Sequence, residues 1–375
     1  MLKKRTPRLT NRMLTPMQIL QRVSNNIKQT WRAGLWQRAL IGVSALLFLF
    51  VVFMYSVAQW YYFKHRNTPV QLGATFIPDY AAGFGLDPEQ TMNAMINDLG
   101  VKRFRLVSYW EKGEAQKGKY DFSFLDWQMK KAHAAGAKVT LAIGLRQPRW
   151  PECHWPSWAQ KLPKNKWEPL LKDYIKAVVE RYKDHPALES WQLENEYFLK
   201  VFGECPDFSR DRLVSEYKLV KDLDLDTPVV ISMSNNAIGM PIHQPTPDEW
   251  AISIYKRVWD KTITRRYYEY PIPAWYYAFR AGFTEATRGR NVFAHELQAE
   301  PWLAEGYDMR TAPTDEYYKS LNPERLEHRF RYGVATGMKK IDLWGAEWWY
   351  YMKEKRNSPE LWNVAKEQFA KYAND

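Results

Sequence analysis

Cysteine is nearly absent: there are two in 375 residues. That excludes a disulfide-knit small scaffold and a cysteine-rich zinc module. No HExxH, CxxC, Walker or GxGxxG element occurs, and the seven histidines are scattered. No metal site and no cofactor are therefore expected. Acidic residues are missing from positions 1–38, which carry nine Lys and Arg, while the remainder is close to neutral with 45 basic against 42 acidic side chains. The net charge of +12 thus belongs to a tail. Nucleic acid is not expected as a partner of the main domain. Aromatic residues are plentiful, with 18 Trp, 23 Tyr and 17 Phe. With 46% apolar and 26% charged residues, the composition is that of a folded domain.

Long apolar runs are absent except one. Residues 39–58 hold twenty positions without a charge, about 30 Å of helix and enough to span a bilayer's hydrocarbon core. Trp60, Tyr61, Tyr62 and Phe63 follow as an expected interfacial belt. The basic residues precede the run, which predicts a cytoplasmic amino terminus and an extracytoplasmic remainder at the cell membrane. A signal peptide cleaved after Ser56-Val57-Ala58 is the alternative. The tail upstream is longer and the apolar core more extended than such peptides usually have. The expected organisation is a basic tail (1–38), an anchor (39–59), a linker (60–70) and one domain (71–375). Within the tail, 16–36 has the spacing of a basic amphipathic helix suited to an anionic leaflet; a disordered stub is the other reading.

From residue 71 short apolar strands alternate with longer amphipathic helices. Strands are expected at 72–77, 103–109, 138–144, 188–195, 228–233, 250–255, 291–296 and 341–345, and helices at 167–182, 273–288, 321–337 and 358–372. Gly100 and Gly136 stand directly before strands, as helix-terminating glycines do. The stretch 235–249 is Pro-rich and has no clear helical period, so that crossover is expected to be degenerate. Alternation of this kind implies a parallel sheet with right-handed crossovers. Eight units in about 300 residues fit a (β/α)8 TIM barrel, whose chemistry lies at the carboxy ends of its strands. A doubly wound sheet is the competing fold, but the loop after Ile77 lacks its glycine fingerprint.

Two of these strands end in a glutamate: the fourth in Trp191-Gln192-Leu193-Glu194-Asn195-Glu196 and the seventh in Phe293-Ala294-His295-Glu296. Hydrolysis of a glycosidic bond needs two carboxyls, one to protonate the leaving oxygen and one to attack or to activate water. A lone Glu at a strand end is usually a solvated loop residue, so the pairing carries the argument. Glu300 is a rival to Glu296 with the same parity, but four further extended residues place it about 13 Å along the strand.

The run WQLENE resembles the Asn-Glu ending of the fourth strand in the clan of retaining glycoside hydrolases that includes xylanases, cellulases and β-galactosidases. HELQ resembles the clan's seventh-strand nucleophile segment, with His295 in place of the usual Thr. Arg103-Phe104-Arg105-Leu106, Tyr120–Asp126 and Ser253-Ile254-Tyr255 resemble its second strand, second helix opening and sixth strand. The resemblance covers residues 72–372 in consistent order and selects no family within the clan. It implies Glu196 as acid/base, Glu296 as nucleophile, Asn195 on the sugar 2-hydroxyl, Arg105 and Tyr255 beside Glu296, and Trp344 or Trp348 as an aromatic floor.

Aromatic residues cluster in the expected top loops, and sugar rings stack on such faces. Trp110, Gln147, Trp150 and Trp302 are candidate substrate contacts, with Glu300 in the same loop as Trp302. His295 is expected to point away from Glu296 by strand parity. Cys153 and Cys205 follow adjacent strands, so a disulfide is geometrically open to them; two unrelated thiols are the alternative. The sequence thus predicts a membrane-anchored retaining glycosidase acting on an oligo- or polysaccharide. A non-catalytic glycan-binding barrel at the cell surface is the second reading.

Overall fold

The computed structural model describes residues 34–234 and 240–373, with positions 15, 17, 18 and 21–25. Most of the basic segment 16–36, and residues 235–239, lie outside the described residues. The chain divides into two compact units, Met1–Ser56 and Val57–Asp375. The helix Leu35–His65 begins in the first and ends in the second. It is long and apolar enough to cross a membrane, a test that a signal sequence also passes.

The second unit is a closed barrel of eight parallel strands. In chain order the strands are β1 (Gln71–Thr75), β2 (Arg103–Val107), β3 (Lys138–Ile143), β4 (Leu188–Leu193), β5 (Val229–Met233), β6 (Glu249–Ile254), β7 (Arg257–Asp260), β8 (Arg266–Glu269), β9 (Asn291–Gln298) and β10 (Lys340–Trp344). The barrel comprises β1–β6, β9 and β10, closed by β1 against β10 from Gln71↔Lys340 to Ala74↔Leu343. All eight expected strands are present. The four expected helices lie at Lys164–Tyr182, Ala274–Arg288, Pro323–Ala335 and Glu360–Ala373. Gly100 and Gly136 take left-handed φ values of 74° and 66° after helices ending at Asn97 and Ala134. A residue with a Cβ resists that conformation. Between β5 and β6 no helix occurs among the described residues.

Outward residues such as Phe104, Leu141, Trp191, Ile231, Trp250 and Leu343 are buried in one core beneath the helical ring. The lumen is different. Barrels are commonly filled by branched aliphatic residues, but here an ion-pair network plugs the amino-terminal end. Arg103 Nε donates to Asp342 Oδ1 over the intervening β1 (2.9 Å), and its other nitrogens reach Thr140 Oγ1 (2.9 Å) and Glu189. Gly73 makes room: a Cβ there would strike the Asp342 carboxylate and lie 2.7 Å from the Arg103 carbonyl oxygen.

Two expectations change. Residues 60–65 continue the helix instead of forming a linker, and two of the four aromatics are not a free belt. Tyr61 is buried, and Tyr62 Oη donates to the Ala335 carbonyl (2.7 Å). Lys64 and His65 both meet Glu285. These contacts fall at the carboxy ends of Ala274–Arg288 and Pro323–Ala335, hence at the strands' amino-terminal end of the barrel. The other change is the antiparallel hairpin β7–β8 after β6, which the alternation of strands and helices does not announce.

Candidate active site

β4 is followed by Glu194-Asn195-Glu196, and both glutamates take left-handed φ, 57° and 41°. Such backbone persists where neighbours over-determine it. Here Glu194, Asn195 and Glu196 N–H groups donate to Ile143 O (2.9 Å), Arg146 O (2.7 Å) and Ser232 Oγ (2.8 Å). The turn sends the two carboxylates to different places. Glu194 accepts from the Leu145 and Arg146 amides and from Arg212 (2.8, 2.9 and 2.9 Å), a buried structural clamp. Glu196 faces a cavity of about 1170 Å³ at the carboxy ends of the strands.

Glu296 lines the same cavity from β9. The register of β9 against β6 shifts between Ile252 and Ser253, so that Ala294 pairs Ile252 while Glu296 pairs Ser253. One extra residue, His295, is absorbed there, a bulge that re-aims side chains. The parity expectation for His295 therefore fails. Its Nε2 lies 3.1 Å from Ser253 Oγ and its Nδ1 3.9 Å from Glu296 Oε1. Ser253 Oγ in turn donates to Glu196 Oε1. Serine thus joins histidine to Glu196, while the His295 Nδ1 lies near Glu296 without a hydrogen bond to it.

The electrostatics of the two differ. Arg105 Nη1 donates to Glu296 Oε1 (2.6 Å) and Tyr255 Oη to Oε2 (2.9 Å). The same guanidinium donates to Gln192 (2.6 Å) and to Asn195 Oδ1 (2.7 Å), tying the end of β4 to β9. Among the described residues no cation is hydrogen-bonded to Glu196, and the charges of Arg146 and Arg105 act on it only from further off. Burial, then the negative charge of Glu296, pushes its carboxyl up to about 7, against the opposing hydrogen bond from Ser253. Burial, with Arg105 adding to it, holds His295 well below its ordinary range, so the ring is neutral. Glu152, which sequence reasoning did not single out, is a third carboxyl in the cavity wall. It accepts from Asn195 Nδ2 (3.1 Å) and is pushed up by burial to about 8, against the pull of Arg146.

Glu300, Trp302, Trp150, Tyr255, Asn195 and Trp344 all line this cavity. Glu300 is gripped by Arg149 through both oxygens (2.5 and 2.8 Å) and by Tyr80 Oη (2.9 Å). The Arg149 guanidinium lies between the rings of Tyr80 and Trp344, 3.4 and 4.1 Å from their centroids. It covers the indole face that was expected to be open to sugar. Four candidates do not line the cavity: Trp110, Gln147, Trp348 and Arg105. Trp110 is buried against Trp158 and Tyr174 and donates to Glu114. Gln147 is spent on the Ser108 amide and the Gly144 carbonyl. Trp348 packs on Tyr317, pointing off the helix that follows β10. Arg105 is fully buried and acts on the site through Glu296 and Asn195. Cys153 and Cys205 are joined, Cα atoms 5.2 Å apart, across a separation of 52 residues. The bond ties the loop bearing Glu152 to the loop after Glu196. Among the described residues no cluster of three His, Cys, Asp or Glu could hold a metal.

The β-galactosidase family model matches residues 88–225, a stretch that holds Glu196 but ends before Glu296. The β-galactosidase of an Arthrobacter species is 31% identical over 159 residues, covering 32% of this chain and 22% of that protein. The β-galactosidase Pbg of Clostridium perfringens is 30% identical over 126 residues, covering 29% and 18%. Among solved structures, the β-galactosidase of the haloarchaeon Halorubrum lacusprofundi superposes with a TM-score of 0.55 at 15% identity, over 81% of this chain and 58% of that one. That from Rahnella sp. R3 gives 0.53 at 12% identity, over 82% and 56%. The chain is thus similar in fold to these proteins, and spans less than a quarter of the curated relatives and a little over half of the solved ones.

Proposed function

We propose that this chain is a retaining glycosidase with Glu196 as acid/base and Glu296 as nucleophile. The observation that carries the reading is the pair of buried carboxyls on one cavity in unlike surroundings, one pressed toward its protonated form and one held by a guanidinium and a phenol. Environments that separate two titrating groups assign the acid and the base.

In the first step Glu196 gives its proton to the glycosidic oxygen while a Glu296 oxygen attacks the anomeric carbon. The leaving alcohol departs and a glycosyl ester remains. Esterification removes the negative charge that helped to raise Glu196, so its proton affinity falls once it must act as a base. Glu196 then takes a proton from water, the hydroxyl attacks the anomeric carbon, and Glu296 is released with net retention. Ser253 keeps Glu196 oriented through both steps. Asn195, its oxygen fixed by Arg105, donates one amide hydrogen to Glu152 and keeps the other for the sugar.

The relatives named above make β-galactosides the first substrates to test. The apolar helix is read as an uncleaved anchor, with the barrel outside the cytoplasm. Basic residues before the run support that orientation, and a disulfide persists in an oxidising compartment. The test is a panel of aryl glycosides with wild type, Glu196→Gln and Glu296→Gln. Hydrolysis by wild type and loss of at least about 10³ in each variant is expected. Equal binding by all three with no hydrolysis would instead favour a glycan-binding barrel.

A further inference from the structure

We propose that the glycoside cleaved here carries a long apolar aglycone, an alkyl or acyl chain, which lies along an aliphatic lip on the acid side of the cavity. This rests on the assignment of Glu196 as the acid. A group that protonates the leaving oxygen stands beside the leaving alcohol, so the wall next to Glu196 meets the aglycone. That wall is the chain immediately after Glu196, which gives Leu199, Val201 and Phe202 to the cavity; the β7–β8 hairpin adds Val258 and Ile263.

The chemistry of these side chains selects the occupant. A sugar ring is held by a flat aromatic face and by hydrogen bonds at its edge. Isobutyl, isopropyl and sec-butyl groups supply neither; their surfaces suit methylene chains. Val201 is 92% exposed and Ile263 88% exposed, although both line the cavity. Single exposed apolar residues are ordinary. A group of them around one opening marks a binding surface. The exposure of Ile263 is built in: the Asp260 carboxylate accepts from the amides of Thr262, Ile263 and Thr264, fixing the turn that presents it. Trp150 and Trp302 flank Phe202, with ring centroids at 5.7 and 6.4 Å, and supply flat faces of the kind that hold a sugar ring beside the aliphatic lip. Deeper in, the cavity carries Glu152, Asn195 and the Arg149–Glu300 pair. The hairpin turn also gives Asp260, Lys261, Thr262 and Thr264 to the lining, so Val201 and Ile263 form aliphatic patches within a mixed rim above a polar floor.

The experiment uses the full chain in lipid nanodiscs and alkyl β-galactosides, from methyl to octyl, all below their critical micelle concentrations. Hydrolysis and calorimetric binding are both measured. A fully buried methylene is worth about fourfold, and one buried on one side about twofold. The octyl compound should therefore exceed the methyl compound by about a hundredfold in kcat/KM. In V201S/I263S that ratio should fall below about ten. A flat series in wild type, or an undiminished ratio in the double variant, overturns the lip. Chain-length-dependent binding without hydrolysis of any glycoside would overturn the acid assignment and leave the apolar lip standing.

Discussion

Ser253 offers the sharpest perturbation, because its hydroxyl touches the carboxyl whose protonation the mechanism needs. It donates to Glu196 Oε1 and so favours the ionised form, opposing burial and the charge of Glu296. Glu196 must be protonated to act as acid. Wild-type kcat/KM should therefore fall as pH rises through about 7. Ser253→Ala removes this side-chain donor and leaves the desolvation in place, so Glu196 rises further and the alkaline limb moves up. A hydrogen bond to a charged group is worth about 1.5–3 kcal/mol. One pKa unit is about 1.4 kcal/mol, so the limb should move up by about one to two units. The neighbouring His295 is neutral and adds no competing titration. The assay is a pH profile of kcat/KM for wild type and variant on one aryl glycoside, with the melting temperature measured alongside. A limb that stays put or moves to lower pH, in a variant that melts like wild type, would refute the assignment of Glu196 as the titrating acid.

Arg105→Lys should lower kcat/KM by at least about a hundredfold and also lower the melting temperature, since breaking a buried ion pair costs about 3–5 kcal/mol and one ammonium cannot serve Glu296, Gln192 and Asn195 together. Reducing the Cys153–Cys205 bond opens a closed segment of 52 residues, worth about 4 kcal/mol at the entropic limit; calorimetry with and without reductant should show a lower transition and, at assay temperature, a weaker site because both tethered loops line it. Gly73→Ala should destabilise the barrel by about 1–3 kcal/mol or more through overpacking against Asp342 and the Arg103 carbonyl, read as a lower denaturant midpoint. Glu152→Gln should keep kcat/KM within about threefold below pH 7, since Glu152 is pushed up to about 8 and is already neutral there, and glutamine still accepts from Asn195.

The barrel was legible because its strands and helices have different periods, and each strand is bounded by turns that glycines such as Gly100 and Gly136 mark. The placement of Glu196 and Glu296 on one cavity was legible because a strand end fixes where a side chain goes in this fold. Parity failed at His295, where the bulge between Ala294 and Glu296 adds a residue that no pattern of apolar spacing betrays. Ser253 and Glu152 were missed for another reason. A small hydroxyl and a loop carboxylate have no periodic signature, and only their proximity to Glu196 and Asn195 gives them meaning. Aromatic residues mislead in the opposite direction. Trp110 and Trp348 stand near strand ends as Trp344 does, yet they face the helices, and composition cannot tell the two sides apart. Arg149 was invisible as a cover for Trp344, since its place depends on Glu300, 151 residues away. The β7–β8 hairpin went unread because its strands are half-exposed and mix charges with aromatics.

The most direct measurement is to trap the enzyme with an activated 2-deoxy-2-fluoro glycoside of the sugar it hydrolyses and to locate the adduct by peptide mass spectrometry. An ester on Glu296, formed at unit stoichiometry and released when an acceptor is added, is the predicted result. An adduct on Glu300, or inactivation with no adduct on either residue, would contradict it.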